Sequence, residues 1–138
     1  MTNSHLRAEE ATSYIDVTRA REMAKVISPA HHAVLDYGVA ATFMAFGASV
    51  LSRHKAAAGL AFANGAMVLA MSLMTDYPGG VFRVISFRGH RIGDIVQGAL
   101  AGFGPLLLGF AGDPEAKYFY GQAASEAAVI AATDWDAA

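Results

Sequence analysis

The chain contains no cysteine. Disulfides, thiolate metal ligands and a catalytic thiol are excluded, and the redox compartment is left open. Charge is scarce too. Only 16% of the 138 residues are Asp, Glu, Lys or Arg, where soluble chains carry roughly 25%. The net charge is −2, and the ten Lys and Arg form no block. A surface that tracks phosphates needs such a block, so nucleic acid is excluded as a partner. No Gly-rich phosphate loop follows a strand, no Ser sits in a nucleophile elbow, and HExxH is missing, so no catalytic residues are assigned. The N-terminal stretch lacks the short basic start and apolar run of a secretory signal.

What the chain does have is apolar length: 54% of it is hydrophobic. Residues 33–51 carry a single charge, Asp36, and residues 56–74 carry none. Each stretch is 19 residues long, close to the ~20 needed to cross a bilayer. Both are apolar all round, whereas a soluble bundle helix shows a polar stripe. A third span covers 92–111, with Asp94 and Gln97 near its start and Pro105 as an expected kink. A fourth, roughly 118–133, is short and Ala-rich and contains Glu126. Between the second and third spans, 75–91 reads as a basic loop with turn chemistry at Tyr77-Pro78-Gly79-Gly80. Residues 1–27 read as an amphipathic helix ending at Pro29, with Tyr14, Val17, Ala20, Ala24 and Ile27 at helical spacing. That helix suits a membrane surface or a partner subunit.

The chain also repeats itself. Lys25-Val26-Ile27-Ser28, His32, Asp36 and Thr75-Asp76-Tyr77 recur as Arg83-Val84-Ile85-Ser86, His90, Asp94 and Thr133-Asp134-Trp135. The offset is 58 residues, without a gap, and eleven of 53 aligned positions are identical. Asn64 falls opposite Gln122. Residues 25–77 and 83–135 therefore read as a duplicated helical hairpin. The expected fold is an all-α integral membrane protein with four transmembrane helices in two parallel hairpins (28–138), preceded by the amphipathic helix (1–27). Near the span ends, Arg7, Arg19, Arg21, Lys25, Arg83, Arg88 and Arg91 lie on one side, and Arg53, Lys55 and Lys117 on the other. That imbalance predicts both termini in the cytoplasm. An even number of spans per repeat gathers His32, Asp36, Asp76, His90, Asp94 and Asp134 at one end.

Each His–Asp pair is four residues apart on a helix and shares a face. The Asp can hold one imidazole nitrogen and leave the other free for a divalent metal, for haem, or for a proton. His31 is a spare candidate. The plainer expectation is a repeated polar latch, in which Asp36 and Asp94 pair with Arg83, Arg88 or Arg91, and Thr75-Asp76 and Thr133-Asp134 bond near the histidines. Under that reading no cofactor is bound. Asn64, Gln122 and Glu126 are polar groups inside spans. Glu126 is satisfied by Gln122 and Ser125, meets another subunit, or frays toward water. Gly98 with Gly102, and Gly121 with Ser125, are expected to pack helices within one subunit. Met67, Met71 and Met74 read as core or lipid-facing.

The run His32, Leu35-Asp36-Tyr37, Thr75-Asp76-Tyr77, Gly80, Arg83-Val84-Ile85, His90 and Asp94 is similar to that of small bacterial four-span membrane proteins of the SPW-repeat type. The resemblance covers about 28–112. It implies a duplicated hairpin fold in a bacterial inner membrane and carries no established activity. Gly104-Pro105-Leu106 stands where a Ser-Pro-Trp-like turn is expected, and the N-terminal helix is additional. The function expected from all this is a non-catalytic accessory or scaffold subunit of a larger membrane complex, in contact with lipid and other membrane subunits. The alternatives are a haem- or metal-binding membrane protein using His32 and His90, and small-solute or proton transport.

Overall fold

The structure, a computed structural model, describes residues 25–137. Four helices make up most of it: α1 (Pro29–Val50), α2 (Lys55–Met74), α3 (Phe87–Leu107) and α4 (Ala116–Ala132). Two of them, α1 and α2, are long and apolar enough to cross a membrane. The expected helix over residues 1–24 lies outside the described residues. Its expected continuation through Ile27 does not occur, because Ile27 is extended and bridges Thr133 in parallel. Pro29 at the first turn of α1 explains the stop, since the residue before a proline avoids the helical region.

The starts of α1 and α3 are built alike. Ser28 is the N-cap of α1 and its hydroxyl accepts from His31 N; Ser86 is the N-cap of α3 and accepts from Gly89 N. These caps satisfy amide groups that a helix start otherwise leaves orphaned. Helix α3 begins at Phe87, so His90, expected in the loop, is helical.

Two short strands, β1 (Thr75–Asp76) and β2 (Ile85–Ser86), pair in parallel between the end of α2 and the start of α3. The Ile27–Thr133 bridge joins the start of α1 to the end of α4 in the same way. Its hydrogen bonds are Ile27 N to Ala132 O at 3.0 Å and Asp134 N to Ile27 O at 2.9 Å. Each hairpin's entry is thus tied to the other hairpin's exit.

Helix α1 packs on α2, α3 on α4, and α2 on α3. Away from these ties the core is apolar, centred on Phe43, Val50, Leu60, Phe110 and Phe119. Phe46 stacks on Tyr118 at 3.9 Å between ring centroids. Gly104 lets α3 approach α2, because a Cβ there would press on Leu60. The connecting turns at this end are held by His54 Nε2 to Asp113 Oδ2 at 3.0 Å and Arg53 Nε to Glu115 Oε1 at 3.2 Å.

Helix α3 is polar inside and apolar outside. His90, Asp94 and Gln97 are buried, while Ile92, Ile95, Val96, Phe103, Leu106 and Leu107 are exposed. Helix α4 buries Phe119 and Glu126 and exposes Gly121, Ala124, Ser125 and Ala128.

Candidate functional site

The polar residues come together at the end where α1 and α3 begin and α2 and α4 finish. His32, Asp36, His90 and Asp94 are all buried, and one ligand atom from each lies within 4.8 Å of the others. A helical turn separates each His from its Asp, which brings His32 Nε2 to 3.4 Å from Asp36 Oδ1 and His90 Nε2 to 2.9 Å from Asp94 Oδ1. Side chains reaching across between α1 and α3 add crossed contacts. His32 Nε2 is 3.1 Å from Asp94 Oδ2, and His90 Nε2 is 3.1 Å from Asp36 Oδ2.

The threonines at the ends of α2 and α4 orient both rings. Thr75 Oγ1 lies 2.6 Å from His90 Nδ1, and Thr133 Oγ1 lies 2.9 Å from His32 Nδ1. Each hydroxyl has one proton and donates it to its own helix, Thr75 to Met71 O and Thr133 to Val129 O, both at 2.6 Å. The oxygen is then an acceptor only, so each histidine carries its proton on Nδ1 and turns Nε2 toward the carboxylates. Aromatic rings cover the group. Phe87 and Trp135 pack edge-on to His32 at 5.4 and 4.9 Å, and Tyr77 lies 5.4 Å from His90.

The two carboxylates have different company. Asp36 Oδ2 accepts from Tyr77 Oη at 2.8 Å, while Ser72 Oγ, 3.4 Å away, gives its one proton to Val68 O at 2.8 Å. Burial pushes the Tyr77 hydroxyl well above its ordinary range, so it stays a donor. Asp94 turns one oxygen to each histidine and receives neither kind of hydroxyl. The positions matching Ser72 and Tyr77 are Ile130 and Trp135, and Trp135 Nε1 donates to Ile130 O at 2.9 Å.

One atom is left over. His90 Nε2 is buried and, though within ion-pair distance of both carboxylates, is aligned for a hydrogen bond with neither. Both oxygens are near enough, but a hydrogen bond depends on direction as well as distance, and the nitrogen is unpartnered. A turn deeper, Gln97 Nε2 donates to Asn64 Oδ1 at 3.1 Å, and Gln97 Oε1 is also buried without a partner.

Other expected site residues lie outside this group. Asp76 is exposed and reaches Arg83 at 3.9 Å, while Asp134 faces Lys25 at 3.5 Å. His31 is exposed and bonds Ser28. The arginines do not neutralise Asp36 or Asp94. Arg88 pairs with Asp136 at 2.8 Å, and Arg91 lies 6.0 Å over the Trp135 ring. Gln122 bonds Thr42 and Tyr118 nearer the opposite end. Glu126 is 8% exposed, has no hydrogen-bond or ion-pair partner among the described residues, and lines a lateral cleft of about 380 Å³ with Ile95, Gly98 and Ala123. Gly98 and Gly102 pack against α4 as expected of them, but Gly121 has open space where a Cβ would sit.

Haem does not fit this interior. The two imidazole centroids are 5.3 Å apart and nearly perpendicular, with no gap between them for a porphyrin. The set does suit a small divalent ion, because it offers two imidazole nitrogens and two carboxylates in one compact, buried group. Chemically the group can bind and cross-link, and among the described residues no nucleophile stands beside a base in an open pocket. No family model, curated protein or solved structure matches the chain.

Proposed function

We propose that the protein is a non-catalytic accessory or scaffold subunit of a larger membrane assembly, built from two tandem hairpins (25–77 and 83–135) whose four helices all cross a bacterial inner membrane. The exposed apolar side of α3 supports a spanning role for that helix, since its polar residues face inward. The paired contacts of the site support the repeat: His32–Thr133 corresponds to His90–Thr75 under the 58-residue offset, as Ile27–Thr133 does to Ile85–Thr75. The excess of Lys and Arg at the site end favours a cytoplasmic location for it. The resemblance to SPW-repeat-type proteins agrees with this membrane.

The observation that carries the functional reading is the outward face of α4. Gly121, Ala124, Ser125 and Ala128 are exposed along one side of the helix. Lipid gains little from so shallow a surface, whereas another helix can approach it closely. Glu126 beside it is a carboxyl without a partner among the described residues. The counterpart face on α2 exposes Gly59, Ala63, Ala66 and Ala70. Two such faces, held in fixed relation by the His–Asp–Thr latch, suit a scaffold between neighbours.

Because the chain has no cysteine, single introduced thiols report contacts cleanly. Ala124→Cys and Ala128→Cys should cross-link in native membranes to discrete partner bands that vanish when Gly121→Leu is added. Leu107→Cys, on the apolar side of α3, should give none. Equal cross-linking from all three positions would refute the scaffold reading.

A further inference from the structure

We propose that His32, His90, Asp94 and Asp36 form a binding site for one divalent transition-metal ion of the zinc type. The spacing is the first argument. In a tetrahedral site with bonds of about 2.0 Å, neighbouring ligand atoms are about 3.3 Å apart. The four nitrogen–oxygen separations here are 2.9, 3.1, 3.1 and 3.4 Å, each aspartate turning a different oxygen to each histidine. With one donor atom per residue, the four lie within 4.8 Å of one another. Side-chain rotation would be enough to turn one donor atom of each residue toward a shared ion.

The support around the ligands is the second argument. A ligating imidazole commonly gives its other N–H to an oxygen that fixes its tautomer. Thr75 and Thr133 do this for both rings, with their own protons committed to Met71 O and Val129 O. Tyr77 holds Asp36 by donating its hydroxyl proton to Oδ2. Both Nε2 atoms therefore face carboxylate oxygens, His32 Nε2 in hydrogen-bond alignment with Asp94 Oδ2 at 3.1 Å and His90 Nε2 aligned with neither carboxylate. That arrangement is repulsive unless positive charge lies between nitrogen and oxygen. Two added protons or one divalent ion would each leave the group electrically neutral.

The misalignment of His90 Nε2 favours the ion. A proton on that nitrogen finds neither carboxylate along its bond direction, whereas a cation between three ligands does not need a linear N–H···O path. The chemistry of the donors sets the class. Two imidazoles and two carboxylates suit zinc and its neighbours, while calcium and magnesium require more oxygen ligands or retained waters than this closed, aromatic-covered site admits. Four protein ligands leave no open position, so the ion is structural. Since α1 and α3 each supply one His and one Asp, it cross-links the two hairpins. The inference is independent of whether α4 docks a partner.

The test uses the full chain in detergent, stripped with chelator, any affinity tag removed, then titrated with Zn(II) and analysed for bound metal. One equivalent should bind, and Co(II) should give the intense visible band of tetrahedral coordination. Asp94→Asn should abolish binding. Thr133→Val should weaken it by about 10–100-fold. His31→Gln, His54→Gln and Glu126→Gln should leave it unchanged. If Asp94→Asn fails to fold, Asp36→Asn serves, with binding weakened at least tenfold. Substoichiometric metal in the folded wild-type chain would overturn the proposal. So would full binding in both aspartate variants, or loss of binding in His31→Gln or His54→Gln.

Discussion

Thr133→Val isolates the latch, since it keeps the side-chain shape and removes one oxygen. That oxygen lies 2.9 Å from His32 Nδ1 and 2.6 Å from Val129 O. His32 is 0% exposed and walled by Phe87, His90 and Trp135, so water does not replace it. Leaving a buried donor unpaired costs about 1–3 kcal/mol. Hydrogen bonds between membrane helices average only about 0.6 kcal/mol, with a ceiling near 1.7. The histidine term dominates, because the Val129 carbonyl is a backbone acceptor that tolerates losing a second donor. The expected loss is therefore about 1.5 kcal/mol, roughly tenfold in the unfolding equilibrium. The assay is reversible unfolding in mixed micelles followed by circular dichroism, with chelator present so that no ion contributes. Thr75→Val should cost about the same, since its oxygen holds His90 in the corresponding way. Thr133→Ser should recover most of the loss. A Thr133→Val chain as stable as wild type, or a Ser variant as damaged as the Val variant, refutes the tautomer-locking role.

Glu126→Leu should stabilise the isolated chain by about 1–2 kcal/mol, because it removes a buried carboxyl without a partner among the described residues. The same change should weaken the cross-links from Ala124→Cys. A destabilised isolated chain would mean that Glu126 has a partner inside the fold. The contact between Lys25 and Asp136, 3.1 Å long, should respond to pH at both extremes. Lys25 holds the Asp136 carboxyl below its ordinary 3.8, and Asp136 chiefly raises Lys25 above 10.5. The Asp136 contribution is complete above pH 3.8 and is lost as pH falls through its depressed value; the Lys25 contribution is complete below 10.5 and is lost as pH rises through its raised value. Spin labels at Val26→Cys and Ala137→Cys should show one short distance at neutral pH that broadens in acid, in strong alkali and at high salt. An unchanged distribution would mean that this ion pair does not tether the segment after Trp135.

The candidate site was only half visible along the chain. Spacing of four puts His32 over Asp36 and His90 over Asp94, and both contacts are present. The crossed contacts, His32 to Asp94 and His90 to Asp36, depend on how the two hairpins are set against each other, which helical periodicity does not encode. Thr75-Asp76 and Thr133-Asp134 read as one polar unit each, yet only the threonines enter the site. The residues leaving α2 and α4 are extended, so successive side chains point opposite ways, Thr75 inward and Asp76 outward. The strands themselves are two residues long, too short for any alternation to register. A hint was available in Val26-Ile27 and Val84-Ile85, β-branched pairs just before a capping serine. Helix α3 differs from α1 and α2 because its polar side chains are drawn into the site, leaving its apolar residues outside.

The places where the two halves disagree say more about the site than the places where they match. Tyr77 gives its hydroxyl proton to Asp36, while Trp135 gives none to Asp94. Asp94 is thus left free to serve both histidines at once, and Asp36 is partly held back from them. Trp135 adds a large ring against His32 and Phe87 instead of a hydrogen bond. Trp135→Tyr would give Asp94 the donor that Asp36 already has. It loses ring area costing about 1–2 kcal/mol, and it gains a hydrogen bond to a charged acceptor of about 1.5–3 kcal/mol. Trp135→Phe loses similar area and gains nothing. The Tyr variant should therefore be more stable than the Phe variant by at least about 1 kcal/mol in chelator. Equal stabilities would mean that the crossing of α1 and α3 holds Asp94 beyond reach of residue 135, and that the halves diverged in backbone position as well as in side chains.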